Sequence, residues 1–93
     1  MTDILATTTI SRIEGLLATE VDGETVLMHV ERGNYYGLAR TAHRIWELLE
    51  TPQTFVALCS QLQSSFAGPA ERIEADTRRF LLAMAAESLV LLT

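Results

Sequence analysis

The chain has 93 residues, a single cysteine and a formal net charge of −5, and 48% of its residues are hydrophobic. That is enough for one small domain with a core (residues 1–93) and too little for two, and the apolar content argues against disorder. The acidic balance disfavours a nucleic-acid groove as the main surface, and no run approaches the ~20 apolar residues of a membrane span.

Along the chain, residues 1–14 read as a loosely ordered arm, in which "TTTI" (Thr7 to Ile10) is either a further short strand or part of the arm. The stretch has no basic segment followed by an apolar one, so it does not read as a signal peptide. "GLLATEV" (Gly15 to Val21) and "ETVLMHVE" (Glu24 to Glu31) flank Asp22-Gly23. Asp-Gly between β-prone runs is a strong hairpin signal, because a type I′ turn needs positive φ at both central positions. In the second run Val26, Met28 and Val30 make a clearly apolar face, and Thr25, Leu27 and His29 a mixed one. "RGN" (Arg32 to Asn34) is a second turn, and "YYGL" (Tyr35 to Leu38) a short third strand.

From Thr41 the period changes to that of a helix. Thr41 is the expected N-cap, and Ala42, Ile45, Trp46 and Leu49 form one stripe. This helix ends near Glu50, since Pro52 disfavours helical geometry at Thr51. Thr54 caps a second helix, with Phe55, Leu58, Cys59, Leu62 and Phe66 as its stripe. Gly68 suits a helix stop and Pro69 the first turn of a third helix, over Ala70 to Glu87. Ile73, Thr77, Phe80, Leu81 and Met84 are its inward positions, and "SLVLLT" is an apolar tail that should dock on the body. The fold class is therefore α+β, a three-stranded antiparallel sheet followed by three helices, in the manner of a winged helix-turn-helix.

Candidate chemistry is sparse. A nucleophile needs a base within reach, but Cys59 falls on an apolar helix stripe and reads as a small buried hydrophobe. One cysteine forms no internal disulfide and suits a reducing cytoplasm. His29 lies on a strand and His43 on the exposed side of the first helix, with no metal-ligand spacing to each other or to Cys59. No Gly-rich phosphate loop or CxxC is present. The expectation is no catalytic residue, no metal and no cofactor. DNA reading would need basic and amide groups on a recognition helix. The second helix carries no Lys or Arg, and Arg72, Arg78 and Arg79 of the third are interleaved with Glu71, Glu74 and Asp76.

The third strand is aromatic and last in its meander, which leaves one edge of backbone N–H and C=O groups unpaired. Such an edge is a template for an added strand, with pockets beside it selecting side chains. The plainer alternative is that Tyr36 and Leu38 face the core, Tyr35 and Gly37 face water, and nothing binds. A third is that the edge pairs with its own copy in a homodimer.

"DGETVLMHVERGNYYGL" followed by "RIWELLETPQTFVALCSQL" resembles the PqqD-like family, small winged-helix domains also called RiPP recognition elements. The resemblance runs from about Gly15 to Leu92, and within the family "RIWELLETPQT" is most similar to the stand-alone leader-binding proteins of lasso peptide biosynthesis. The sequence departs from the family pattern in two places. Ala39 stands where the family often has Asn after Leu, and Ser88 stands where a Gly is usual.

The resemblance implies a non-catalytic, cytoplasmic peptide-binding adaptor. Its partners would be a precursor leader peptide, a leader peptidase and a macrolactam synthetase, with neither nucleic acid nor membrane involved. The runner-up is the pyrroloquinoline quinone pathway, where the partner is a radical SAM enzyme; a DNA-binding winged helix is a more remote option. In the family the leader adds beside the third strand and lies in a groove against the third helix. Carried onto this chain, the edge is Asn34, Tyr35, Tyr36, Gly37 and Leu38, and the groove wall Arg72, Ile73, Asp76, Arg79 and Phe80. Positions 72, 76, 79 and 80 share one flank at helical spacing.

Overall fold

The computed structural model describes residues 3–93, so Met1 and Thr2 of the expected arm lie outside the described residues. In chain order the elements are β1 (Thr9–Arg12), β2 (Leu16–Val21), β3 (Glu24–His29), β4 (Asn34–Leu38), α1 (Thr41–Leu48), β5 (Gln53–Thr54), α2 (Phe55–Ser65), α3 (Ala70–Ala86) and β6 (Val90–Leu92). The meander β2-β3-β4 is the expected antiparallel sheet. Asp22 and Gly23, at φ 51° and 79°, supply the turn between β2 and β3 that a type I′ hairpin requires. A four-residue loop closed by Gly33 N–H to the His29 carbonyl (2.8 Å) links β3 to β4.

The buried face of β3 is the mixed one. Thr25, Leu27 and His29 are buried, whereas Val26 and Met28 are only partly covered and Val30 is 52% exposed beyond the strand. Burying a threonine is tolerated because its hydroxyl has a partner: Thr25 Oγ1 lies 2.7 Å from His43 Nδ1. That contact also corrects the placement of His43, which is turned inward against the sheet and is mostly covered instead of lying exposed on α1.

A second sheet, of order β5-β1-β6, was not part of the sequence expectation. β1 is its centre, antiparallel to both neighbours, with Ile10 opposite Gln53 on one side and Leu92 on the other. Residues read as strand or arm are thus a strand with Ile10 fully buried, preceded by a buried Ile4. The apolar tail docks as β6, which places Leu89 and Val90 in the core. Two residues of β5 are too few to show as a strand pattern in sequence.

The helix ends follow local chemistry with one exception. At α2 the Ala57 amide donates to Thr54 Oγ1 at 3.3 Å, a side-chain N-cap. Thr41, by contrast, is the first residue of α1 and caps nothing; the N-cap is Arg40, without a side-chain cap bond. Arg40 turns the chain at φ 54° and ψ −120°, so that Ala42 N–H reaches the Ala39 carbonyl at 3.2 Å. At the end of α3, Ser88 N–H bonds the Ala85 carbonyl (3.0 Å) and Leu89 N–H the Met84 carbonyl (2.9 Å). This is a Schellman motif whose left-handed residue is Ser88, at φ 59°. The resemblance has a glycine at that position, which this backbone conformation explains.

The core joins Leu27 and Leu38 of the first sheet to Ile45, Trp46, Leu58, Leu62 and Leu81 of the three helices. No helix among the described residues is long and apolar enough to cross a membrane. Cys59 belongs to this core, and burial, with a smaller push from the Glu74 charge, raises its thiol to about 11.

Two outcomes follow from this packing. Ser88→Gly should raise stability by about 0.5–1 kcal/mol by relieving the left-handed backbone, read from the urea midpoint at unchanged slope. Cys59 should stay inert to a disulfide reagent in the native protein at neutral pH and react fully once unfolded. Because its folded pKa is raised, its contribution to stability is intact below about pH 9 and is lost as pH rises toward 11.

Candidate functional site

β4 pairs with β3 along one edge, from Asn34 opposite His29 to Leu38 opposite Thr25. Among the described residues its other edge has no backbone partner. The side chains alternate about that edge: Leu38 is buried, Tyr36 half-buried, and Tyr35 is 69% exposed on the outer face. Asn34 Nδ2 donates to the Tyr36 hydroxyl (3.3 Å), which donates to Glu87 Oε2 (3.2 Å). Arg32 meets the same carboxylate oxygen at 3.3 Å. Exposed bonds of this kind add little stability singly, but together they tie the first half of β4 to the end of α3.

Past the other end of β4, α1 and α3 enclose a cleft of about 410 Å³. Thr41, Ala42 and Ile45 of α1 form one wall, Arg72, Ile73, Asp76, Thr77 and Phe80 of α3 the other, and residues 66–69 close one end. Ile45 is buried, while Ile73 and Phe80 are half-buried and present apolar surface to the opening. Arg72 and Asp76 lie 3.8 Å apart, and Asp76 also meets Arg79 at 3.6 Å. Both arginine side chains are 80% exposed, so neither pair is tightly held. Arg78, on another flank, is engaged: it bonds Glu74 (3.2 Å) and the Ile4 carbonyl (3.3 Å) and lies over the Phe55 ring.

Four of the five residues expected on α3, namely Arg72, Ile73, Asp76 and Phe80, therefore line one cleft, with Arg79 joined to it only through Asp76. The five residues of β4 do not line it; they form a separate free edge that leads into its α1 wall through Ala39 and Arg40. A non-glycine residue in the conformation of Arg40 is strained by about 1–3 kcal/mol, so the bend between edge and cleft is held by its surroundings. Sequence reasoning missed Thr41, Ala42, Ile45, Phe66 and Thr77, which carried only a core or cap signal. Their one clue is that the apolar stripes of α1 and α3 are wider than the residues they fully bury.

A family model described as "Coenzyme PQQ synthesis protein D (PqqD)" matches residues 24–90. Among solved structures, "TbiB1 in Complex with the TbiA(beta) Leader Peptide" is similar at a TM-score of 0.81 and 29% sequence identity. The similarity covers 86% of this chain and 93% of that one. No curated protein matches. Because the family match spans well over half the sequence, from the start of β3 to the start of β6, the chain belongs to the PqqD family.

Proposed function

We propose that this protein is a RiPP recognition element: a non-catalytic adaptor that captures the leader of a ribosomally made precursor peptide by adding it as a strand to β4. The free edge of β4, joined through Ala39 and Arg40 to the α1 wall of an apolar cleft between α1 and α3, carries this reading. The likeness to TbiB1, whose structure holds a leader peptide, supports it. Backbone groups of Asn34, Tyr35, Tyr36, Gly37 and Leu38 would pair with the leader. Ile73 and Phe80 would take its apolar side chains, and Arg72, Asp76 and Arg79 its polar or charged ones.

Strand addition draws affinity from main-chain bonds and selectivity from pockets beside the edge. With a small to standard interface, up to ~800 Å² per partner, a few apolar anchors carry most of the energy. Held on the adaptor, the precursor is presented to enzymes at high effective concentration, which raises apparent affinity without contacts at the reacting centre. The proposed enzymes are the leader peptidase and macrolactam synthetase of lasso peptide assembly, in the cytoplasm.

Fluorescence titration of a labelled leader peptide tests the site. Phe80→Ala and Ile73→Ala should each weaken binding at least about tenfold, that is by 1.4 kcal/mol or more, with circular dichroism confirming that the half-buried positions tolerate truncation. Unchanged affinity in both folded variants would remove the cleft from the site. Arg79→Glu should weaken binding several-fold while leaving the urea midpoint unchanged, since an exposed substitution shifts stability by about 0.5 kcal/mol at most. Equal affinity there would exclude Arg79 alone.

A further inference from the structure

Away from the leader surface, one constellation has the make-up of a metal site. Glu20 near the end of β2, and His43 and Glu47 one turn apart on α1, bring one ligand atom each within 4.8 Å of the others. His43 Nε2 lies 3.1 Å from Glu20 Oε1 and 3.6 Å from Glu47 Oε1. An ion about 2.0–2.1 Å from nitrogen and oxygen ligands needs them roughly 2.9–3.4 Å apart for octahedral to tetrahedral geometry. The separation to Glu20 falls inside that range, and the one to Glu47 lies just beyond it, within reach of a small side-chain adjustment. We propose that Glu20, His43 and Glu47 bind a first-row divalent cation of the zinc type.

The imidazole is oriented for this. Its Nδ1 lies 2.7 Å from Thr25 Oγ1, and Thr25 is only 3% exposed, so the hydroxyl is fixed by packing. When that oxygen accepts from Nδ1–H, the Nε2 lone pair points between the two carboxylates, which is the tautomer a metal requires. Hydrogen bonding alone leaves the cluster unbalanced, because one Nε2–H cannot serve two carboxylates, and even a protonated ring offsets only one of their charges.

The surroundings leave the two carboxylates only partly compensated. Glu20 and Glu47 line a cleft of about 350 Å³ together with Thr25, the partner of the imidazole, and Glu50. The one cation in that lining, Arg12, donates to the Trp46 carbonyl, sits 4.4 Å over the Trp46 ring and interacts with the Glu50 charge, so it compensates Glu50 and not the cluster. Arg44 meets Glu47 Oε1 at 3.6 Å, which offsets one of the two carboxylates of the cluster. Mixed nitrogen and oxygen ligands on a partly open rim suit zinc, with water completing the shell. The ion would cross-link the β2-β3 hairpin to α1, the helix whose other flank supplies Thr41, Ala42 and Ile45 to the leader cleft.

The test is isothermal titration of zinc chloride into tag-free, chelator-stripped protein, with cobalt(II) absorption as a second probe of ligation. Saturable binding of one ion per chain is expected, with a rise in the thermal midpoint that EDTA reverses. Glu20→Gln and Glu47→Gln, which keep size and shape at exposed positions, should weaken binding by about tenfold or more. Thr25→Val, acting only through the imidazole, should weaken it about 10–100-fold, and His43→Ala should abolish it, while Glu14→Gln should change nothing. Absence of saturable zinc binding in the wild-type chain overturns the proposal, and so does binding that both glutamine variants and His43→Ala leave intact.

Discussion

Leu27, fully buried at the centre of β3, joins the meander to the helices, and the arrangement of the rest depends on that contact. It lies between Ala18 and Tyr36 in one cross-strand row, with Thr25 between Glu20 and Leu38 in the next. Because side chains alternate strictly along a strand, placing Leu27 inward commits every other residue of the three strands. Tyr36 and Leu38 are drawn toward the helices, and Leu17 and Tyr35 are left on the outer face. The core thus holds β4 by its side chains while its outer backbone edge stays unpaired. An added strand meets a template that is already ordered, so little conformational entropy is lost on the protein side.

The second sheet serves a different purpose. β1 is paired on both sides, and its neighbours come from the helix region and the carboxyl end. Phe55 N–H bonds the Thr8 carbonyl, and Thr93 N–H the Thr9 carbonyl, both at 2.9 Å. These bonds fasten the start of α2 and the end of the chain to one short strand. The family match begins at residue 24 and leaves β1 outside it, yet Ile10 is as deeply buried as any residue in the core. β1 thereby anchors the start of α2 and, through β6, the segment that follows α3.

Under the proposed function, edge and cleft would divide the work of recognition. A bare edge binds any strand of suitable shape, because backbone groups are the same in every peptide; selectivity has to come from side-chain contacts next to it. Here Ile73 and Phe80 offer apolar surface beside Arg72 and Asp76, whose weak mutual pairing leaves them free to meet a partner's charge at small cost.

Much of this was legible in the sequence where the cause is local. Asp22-Gly23 dictates its own turn, Thr54 its own cap, and the periodicity of residues 41–86 the three helices, since each depends on residues only a few positions apart. The free edge also followed, because the last strand of a meander has no later strand to pair with. Ser88 marked a departure from the family's glycine, and the backbone at that point showed why a glycine is usual. Non-local contacts decided the rest. Val26 and Met28 look like the better inward face of β3, but the imidazole of His43, eighteen residues beyond Thr25, makes the polar alternative affordable. β5 is too short to announce itself, and β1, whose first residues read as either a short strand or part of an arm, is fixed as a strand by pairing with β5 and β6 across the chain. The cleft wall from α1, and the meeting of Glu20 with His43 and Glu47, likewise arise only when a strand and a helix distant in sequence are packed together, since local propensity carries no information about which distant residue will be opposite.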